Sequence, residues 1–239
     1  MEPWYRLAIC VAKPWVVLLF RRDYRGQEHI PRSGGCVVAV NHISYADPIV
    51  AGIFVHDAGR RPRFLGKASV FRVPVTGRII RGARQIPVYR ESADAAMALS
   101  AAVAAVRGGE CVVLYPEGTV TKDPDYWPML SKTGVARIAL ATGAPVIPVA
   151  QWGAQHFLGR SGRPRFGLRR TRAVVLAGAP VNLDPWRDRE LTAQTLRAAT
   201  DAVMREVRSL LGEIRSETPP DAFYPPQSAA PDGAARSSA

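Results

Sequence analysis

Residues 36–40, Cys-Val-Val-Ala-Val, are an unbroken apolar run that stops abruptly at Asn41 and His42. A short run with no polar face reads as a buried strand rather than a half-exposed one. Further apolar runs follow at 111–114, 146–150 and 173–177. Residues 63–67 and 85–90 read as two more strands, the second at a sheet edge because Pro87 cannot donate to a ladder. Helical stretches lie between them. Residues 92–107 are alanine-rich and closed by Gly108-Gly109, 134–142 stop at Gly143, and 191–211 are amphipathic with Thr192 available as a cap. The alternation predicts an α/β fold: a single mixed, mostly parallel sheet flanked by helices, with an N-terminal helix at a membrane interface.

In open α/β sheets ligands bind just beyond the carboxyl ends of the strands. His42 sits at such an end, and Asp47-Pro48 follows as a helix start, with Asp47 in the N-cap position and Pro48 at the first helical position. On one continuous helix, residues five apart point roughly 140° away from each other. They can pair if His42 lies in the turn and Asp47 begins the helix. One carboxylate oxygen would then accept from a helix N–H and the other from the imidazole. Ser44 reads as a turn hydroxyl.

A chain of 239 residues with 47% hydrophobic composition is long enough for one core without disulfides. Its cysteines, Cys10, Cys36 and Cys111, are odd in number, lie in or beside apolar runs, and read as buried reduced thiols. They form no metal-ligand pattern with the four histidines. The net charge of +12 is carried almost entirely by arginine, the lysines being Lys13, Lys67, Lys122 and Lys132. Such a balance means either a polyanionic partner or solvated basic faces. No nucleic-acid motif is present and aromatics are 8%, which favours an anionic membrane surface or a phosphorylated substrate over nucleic acid.

Three domains are expected: residues 1–25 as an amphipathic membrane-associating segment, 26–215 as the catalytic domain, and 216–239 as a disordered tail. Residues 4–20 are apolar with Trp4, Tyr5, Trp15 and Phe20 near the ends, are interrupted by Lys13-Pro14, and are followed by Arg21, Arg22 and Arg25. The run is short for a spanning helix and suits one lying in the interface, on the cytoplasmic face of the plasma membrane. The tail is rich in proline, alanine and serine.

Two more polar clusters follow strand ends. Arg90 closes Ile-Pro-Val-Tyr-Arg, where a guanidinium could clamp a phosphate. Tyr115-Pro116-Glu117-Gly118-Thr119 follows the run at 111–114. Gly118 would permit a tight turn with its N–H open to an anion. Glu117 is either a turn carboxylate or a group that orients an arginine or accepts from a substrate hydroxyl. Residues 123–132 read as a loop able to act as a lid or to face a membrane.

Taken together these blocks resemble the glycerolipid acyltransferase family, and within it the 1-acyl-glycerol-3-phosphate (lysophosphatidic acid) acyltransferases. The family's Asn-His-x-Ser-x-x-Asp is matched by Asn41, His42, Ser44 and Asp47; its strand ending in arginine by residues 86–90; its Phe-Pro-Glu-Gly-Thr by residues 115–119; and its Val-Pro-rich strand by residues 146–149. Lys132 and Gly134 fall in its Lys-x-Gly segment. The resemblance implies transfer of an acyl group from acyl-CoA or acyl carrier protein to the free hydroxyl of 1-acyl-glycerol-3-phosphate, giving phosphatidic acid, with no cofactor and no metal; the alternatives are another acceptor, such as glycerol-3-phosphate or a lyso-phosphoinositide, or a non-catalytic membrane-binding module of the same fold. His42 would be the base and Asp47 its partner, and Arg90, Glu117, Gly118, Thr119 and Lys67 would bind substrate. Two positions depart from the pattern. Tyr115 replaces phenylalanine, and Val120 stands where many relatives carry arginine, so that Lys122 or a distant arginine must substitute if that arginine touches the acceptor's phosphate.

Overall fold

The apolar runs come together in one sheet of seven strands in a computed structural model that describes residues 3–88, 92–167 and 169–225. In chain order the elements are α1 (Pro3–Leu19), β1 (Phe20–Arg25), a 3-10 turn (Gln27–His29), β2 (Cys36–Val40), α2 (Asp47–Asp57), β3 (Pro62–Lys67), a second 3-10 segment (Ala68–Arg72), α3 (Thr76–Gly82), β4 (Ile86–Val88) and α4 (Ser92–Arg107). There follow β5 (Cys111–Leu114), α5 (Gly134–Thr142), β6 (Val146–Trp152), α6 (Ala154–Phe157), β7 (Thr171–Ala177), α7 (Asp184–Arg187) and α8 (Ala193–Arg215). The spatial order is β1-β7-β6-β2-β5-β3-β4. Every neighbouring pair is parallel except β6–β7. The fold is thus the expected single mixed, mostly parallel sheet flanked by helices. The carboxyl ends of β2, β3, β4, β5 and β6 share one edge, so the polar clusters that follow them converge.

Strand β2 shows why its run tolerates no polar residue. Cys36, Val38 and Val40 pack with Val50, Ile53 and Phe54 of α2 and Val16 of α1. Val37 and Ala39 face the opposite layer, with Ala102 of α4, Ala136 of α5 and Leu196 of α8. All five β2 residues are fully buried, so each side chain gains from leaving water. The predicted stops hold as well. Gly143 closes α5 in the left-handed region, and the Thr192 hydroxyl caps α8 by accepting from the Thr195 N–H at 3.1 Å.

Four expectations change. Residues 20–25 are an edge strand of the sheet rather than a continuation of the N-terminal helix: β1 pairs with β7 from Phe20 opposite Thr171 to Arg25 opposite Leu176. Its arginines had suggested headgroup contacts, but Arg25 and the neighbouring strand's Arg172 each bind Asp23 at 2.7 Å. These hydrogen bonds hold the Asp23 carboxyl well below its usual range. The tail is also partly placed. The Leu130 N–H donates to the Tyr224 carbonyl at 2.9 Å, and Arg208 lies over the Phe223 ring at 4.5 Å. Residues 226–239 lie outside the described residues. Cys36 and Cys111 are buried register neighbours, but Cys10 is exposed. Finally, residues 123–132 are pinned rather than poised as a lid. Thr121 Oγ1 donates to the Trp127 carbonyl at 2.7 Å, and Asp123 accepts from the Asp125 N–H at 2.8 Å. Trp127 is buried beneath the Arg215 guanidinium.

Helix α1 turns an apolar stripe outward. Trp4, Leu7, Val11, Trp15 and Leu18 recur at helical spacing and are exposed, Leu18 by 64%. No helix among the described residues is long and apolar enough to cross a membrane.

Candidate active site

Asn41 fixes the end of β2 to the end of β6. Its side-chain oxygen accepts from the Gln151 N–H at 2.8 Å and its amide donates to the Gln151 carbonyl at 3.2 Å. The Gln151 side chain returns a bond to the Asn41 carbonyl at 2.9 Å. Gln151 went unnoticed in the sequence, although a polar residue closing an apolar run is the same signal that singled out Asn41.

The next residue, His42, is held from both sides. Its N–H donates to Glu117 Oε1 at 2.8 Å, and its carbonyl accepts from the Thr121 N–H at 2.7 Å. The ring stacks on Tyr115, centroids 4.3 Å apart, and Nδ1 lies 2.9 Å from Asp47 Oδ2. That same oxygen accepts from the Ile43 and Ser44 N–H groups, each at 2.7 Å. Asp47 therefore does not cap α2. Ala46 is the capping residue, and no side chain caps that end. The carboxylate reaches back into the turn, and one oxygen gathers turn and imidazole together. Ser44 completes the turn, with its hydroxyl donating to the Leu158 carbonyl at 2.5 Å and accepting from the Ala46 N–H at 3.0 Å.

Asp47 is fully buried. Burial pushes its carboxyl up, and the His42 ring and the Ser44 and Ile43 amides oppose that rise. A carboxylate only accepts, so the ring proton sits on Nδ1 and the Nε2 lone pair is left for another proton. Nε2 makes no hydrogen bond among the described residues, and the His42 side chain keeps 14% exposure. Chemically, the arrangement can act as a general base oriented by a buried acid.

Glu117 has a different place from the one expected. Its carboxylate points inward and is occupied at both oxygens, Oε1 by the His42 N–H and Oε2 by the Met129 N–H at 2.9 Å. It braces the backbone of His42 and Met129. Burial pushes it up to about 8 against the pull of the two amides. Gly118 and Thr119 are exposed beyond it. Gly118 has φ +73, and Lys132 passes 3.3–3.5 Å from where a Cβ would stand, so a larger residue would be strained and crowd that lysine. Val120, at the arginine position of the family pattern, is buried in the core. The cation beside the Glu-Gly-Thr turn is instead Lys132, exposed at its side. Lys67 ends β3, also exposed, opposite Val88 of β4. Arg90 lies outside the described residues.

The Acyltransferase family profile matches residues 21–152, which take in His42, Asp47, Glu117 and Gln151, and the chain belongs to that family. Over 149 residues it is 30% identical to a chloroplastic 1-acyl-sn-glycerol-3-phosphate acyltransferase of Brassica napus, covering 60% of this chain and 42% of that one. A 1-acyl-sn-glycerol-3-phosphate acyltransferase of Borreliella burgdorferi is 29% identical over 133 residues, 55% of this chain and 51% of that one. The match thus spans about half the length of these relatives. Among solved structures, the 1-acyl-sn-glycerophosphate acyltransferase of Thermotoga maritima superposes with TM-score 0.61 at 24% identity, covering 86% of this chain and 79% of that one, and shares the fold.

Proposed function

We propose that the protein transfers an acyl group from an acyl thioester, acyl-CoA or acyl carrier protein, to the free hydroxyl of 1-acyl-glycerol-3-phosphate, giving phosphatidic acid. The observation that carries this reading is the His42–Asp47 pair at the end of β2, with Nδ1 tied at 2.9 Å and Nε2 left open. The acceptor hydroxyl attacks the thioester carbonyl carbon while His42 Nε2 takes its proton. Asp47 stabilises the imidazolium that forms. Collapse of the tetrahedral intermediate breaks the carbon–sulfur bond, and the imidazolium returns its proton to the departing thiolate. No acyl-enzyme is formed, and Ser44 serves the turn. Incubating the purified protein with acyl-CoA or acyl carrier protein and a panel of lysophospholipids, with mass spectrometry of the products, tests the reading. Absence of any acylated product would refute it.

The acceptor's phosphate would be met by Lys132 and Lys67, the Thr119 hydroxyl and Arg90, whereas the Gly118 N–H, expected to be open to an anion, is spent on the Tyr115 carbonyl at 2.9 Å. Lys132 takes the part that arginine plays after Glu-Gly-Thr in the family pattern. Lys132→Ala should raise KM for the lysophospholipid about tenfold with kcat little changed, as expected when one cation–phosphate contact is removed from ground and transition state alike.

The reading also puts α1 on the cytoplasmic face of the plasma membrane. Support comes from its exposed stripe, which includes Trp4 and Trp15, and from the net charge of +12. The double substitution Trp15→Glu, Leu18→Glu should abolish co-sedimentation with vesicles containing phosphatidylglycerol while leaving the melting temperature unchanged, since both side chains face outward.

A further inference from the structure

A cavity of about 260 Å³ opens at the edge of the sheet opposite His42. Its walls include Pro62 and Cys111, the first residues of β3 and β5, and Tyr5 of α1. Strand β3 has six residues. At about 3.3 Å per residue, the cavity stands about 16 Å from that strand's carboxyl end, where the polar clusters converge. It is therefore separate from the candidate active site.

The cavity is strongly cationic. Arg32, Arg60, Arg61, Arg63 and Arg84 line it, against the one carboxylate of Glu110. Glu110 is engaged by Arg63 and lies 4.0 Å from Arg84, so these three are set aside. Arg60 is buried, and its guanidinium donates to the carbonyls of Pro31, of Gly34 at 2.6 Å and of Gly109 at 2.9 Å. None of these partners carries a full charge. Arg32 and Arg61 are exposed and make no hydrogen bond or ion pair among the described residues. The carboxyl ends of α2 and α4 lead into Gly59 and Gly109 in the same wall, and each helix end contributes about −0.5 charge. Against Arg32, Arg60 and Arg61 they leave about two positive charges unmatched. Solvated arginines on a convex face turn to water independently. Here Arg60 is held rigid from within, and its neighbours converge over one concavity.

The size of the deficit selects the ligand. A phosphate monoester carries about −1.5 to −2 charge at pH 7, and a diester carries less. Guanidinium groups bind phosphate in two-pronged fashion. The volume falls below the roughly 300–1,000 Å³ that encloses a drug-sized molecule, so the cavity suits a group of headgroup size. We propose that it is a binding site for a phosphomonoester dianion, gripped by Arg32 and Arg61 at the mouth, with Arg60 as a fixed charge beneath. Two sources offer that chemistry, free phosphate and the phosphomonoester headgroup of a lipid. Tyr5 sits beside the exposed Trp4 of α1, which would bring the mouth of the cavity near any lipid surface on which that helix lies. The site does not depend on the acyltransferase reading.

The test is a thermal melt of the purified full chain titrated with inorganic phosphate, the ionic strength held constant with sodium chloride. In wild type the melting temperature should rise along a saturating curve, by about 3–6 °C at ten times the Kd. The double substitution Arg32→Gln, Arg61→Gln should melt close to wild type without phosphate, since neither side chain is engaged, and should lose the rise. Lys132→Ala, at the other edge of the sheet, should keep it. No rise in wild type, an equal rise in the double variant, or loss of the rise in Lys132→Ala would overturn the proposal. Co-sedimentation with vesicles of phosphatidic acid and of phosphatidylglycerol, matched in surface charge, separates the sources. A preference for phosphatidic acid that the double variant loses assigns the site to a lipid headgroup, and a phosphate response without that preference assigns it to free phosphate. Neither measurement requires acyl transfer, so a failure of the proposed activity leaves this result standing.

Discussion

Replacing His42 with alanine should lower kcat/KM for acyl transfer by about 10³-fold or more, the upper part of the range for a lost general base. The far-UV circular dichroism spectrum and melting temperature should be nearly unchanged. The backbone N–H of His42 that binds Glu117 and the carbonyl that accepts from Thr121 survive the substitution, so the strand end keeps its supports. Asp47→Asn should be similarly severe for a different reason. Oδ2 gathers three N–H groups at 2.7–2.9 Å. An amide has one accepting oxygen of weaker basicity, and it leaves the imidazolium without a counter-charge. If His42→Ala turned over substrate at the wild-type rate, proton abstraction would have to come from elsewhere and the mechanism would be wrong.

The largest effect on stability is expected at Glu117. Its removal strands two buried donors, the N–H groups of His42 and Met129. At about 1–3 kcal/mol for each unsatisfied group, Glu117→Ala should cost about 2–6 kcal/mol, a large part of an ordinary domain's margin of about 5–15 kcal/mol. Denaturant unfolding would measure it. The same residue sets a pH dependence. Its carboxyl rises from 4.5 to about 8 in the folded protein, so between those values the native state binds more protons than the unfolded chain. Its contribution to stability is fully present below 4.5 and lost as pH rises through about 8. Asp47, also raised, acts with the same sign. Thermal stability should therefore fall between pH 5 and 8.5 in wild type, and fall less steeply in Glu117→Gln. An equal slope in both proteins would assign the dependence to other groups.

Much of this architecture could be read from the chain because burial on both faces leaves a plain trace. The runs at β2, β5 and β6 carry no charged residue, and glycines follow the last residues of α4 and α5. Strand β1 left no such trace. Three of its six residues are arginine, which looks like a headgroup cluster until the partner charge of Asp23 and the neighbouring Arg172 are brought alongside by the fold. His42 and Asp47 were legible by type and spacing. The direction of the Asp47 carboxylate was not, because an aspartate before proline fits a helix cap and a backward-reaching turn equally well. The inward contacts of Glu117 were hidden for a similar reason: the loop residue it holds, Met129, is twelve positions away, and no local pattern announces that contact.

The antiparallel pairing of β6 with β7 has a consequence for how substrate would arrive. By reversing β7 and its parallel neighbour β1, it brings Phe20, the first residue of β1, to the same edge of the sheet as His42. The end of α1 that carries Leu18 stands there too. On a bilayer, in the orientation proposed above, a lysophospholipid diffusing in the leaflet would come to the base by lateral motion, without dissolving in water. Velocity should then follow the acceptor's mole fraction in mixed micelles or vesicles, and diluting the surface with inert lipid should slow the reaction at constant bulk concentration.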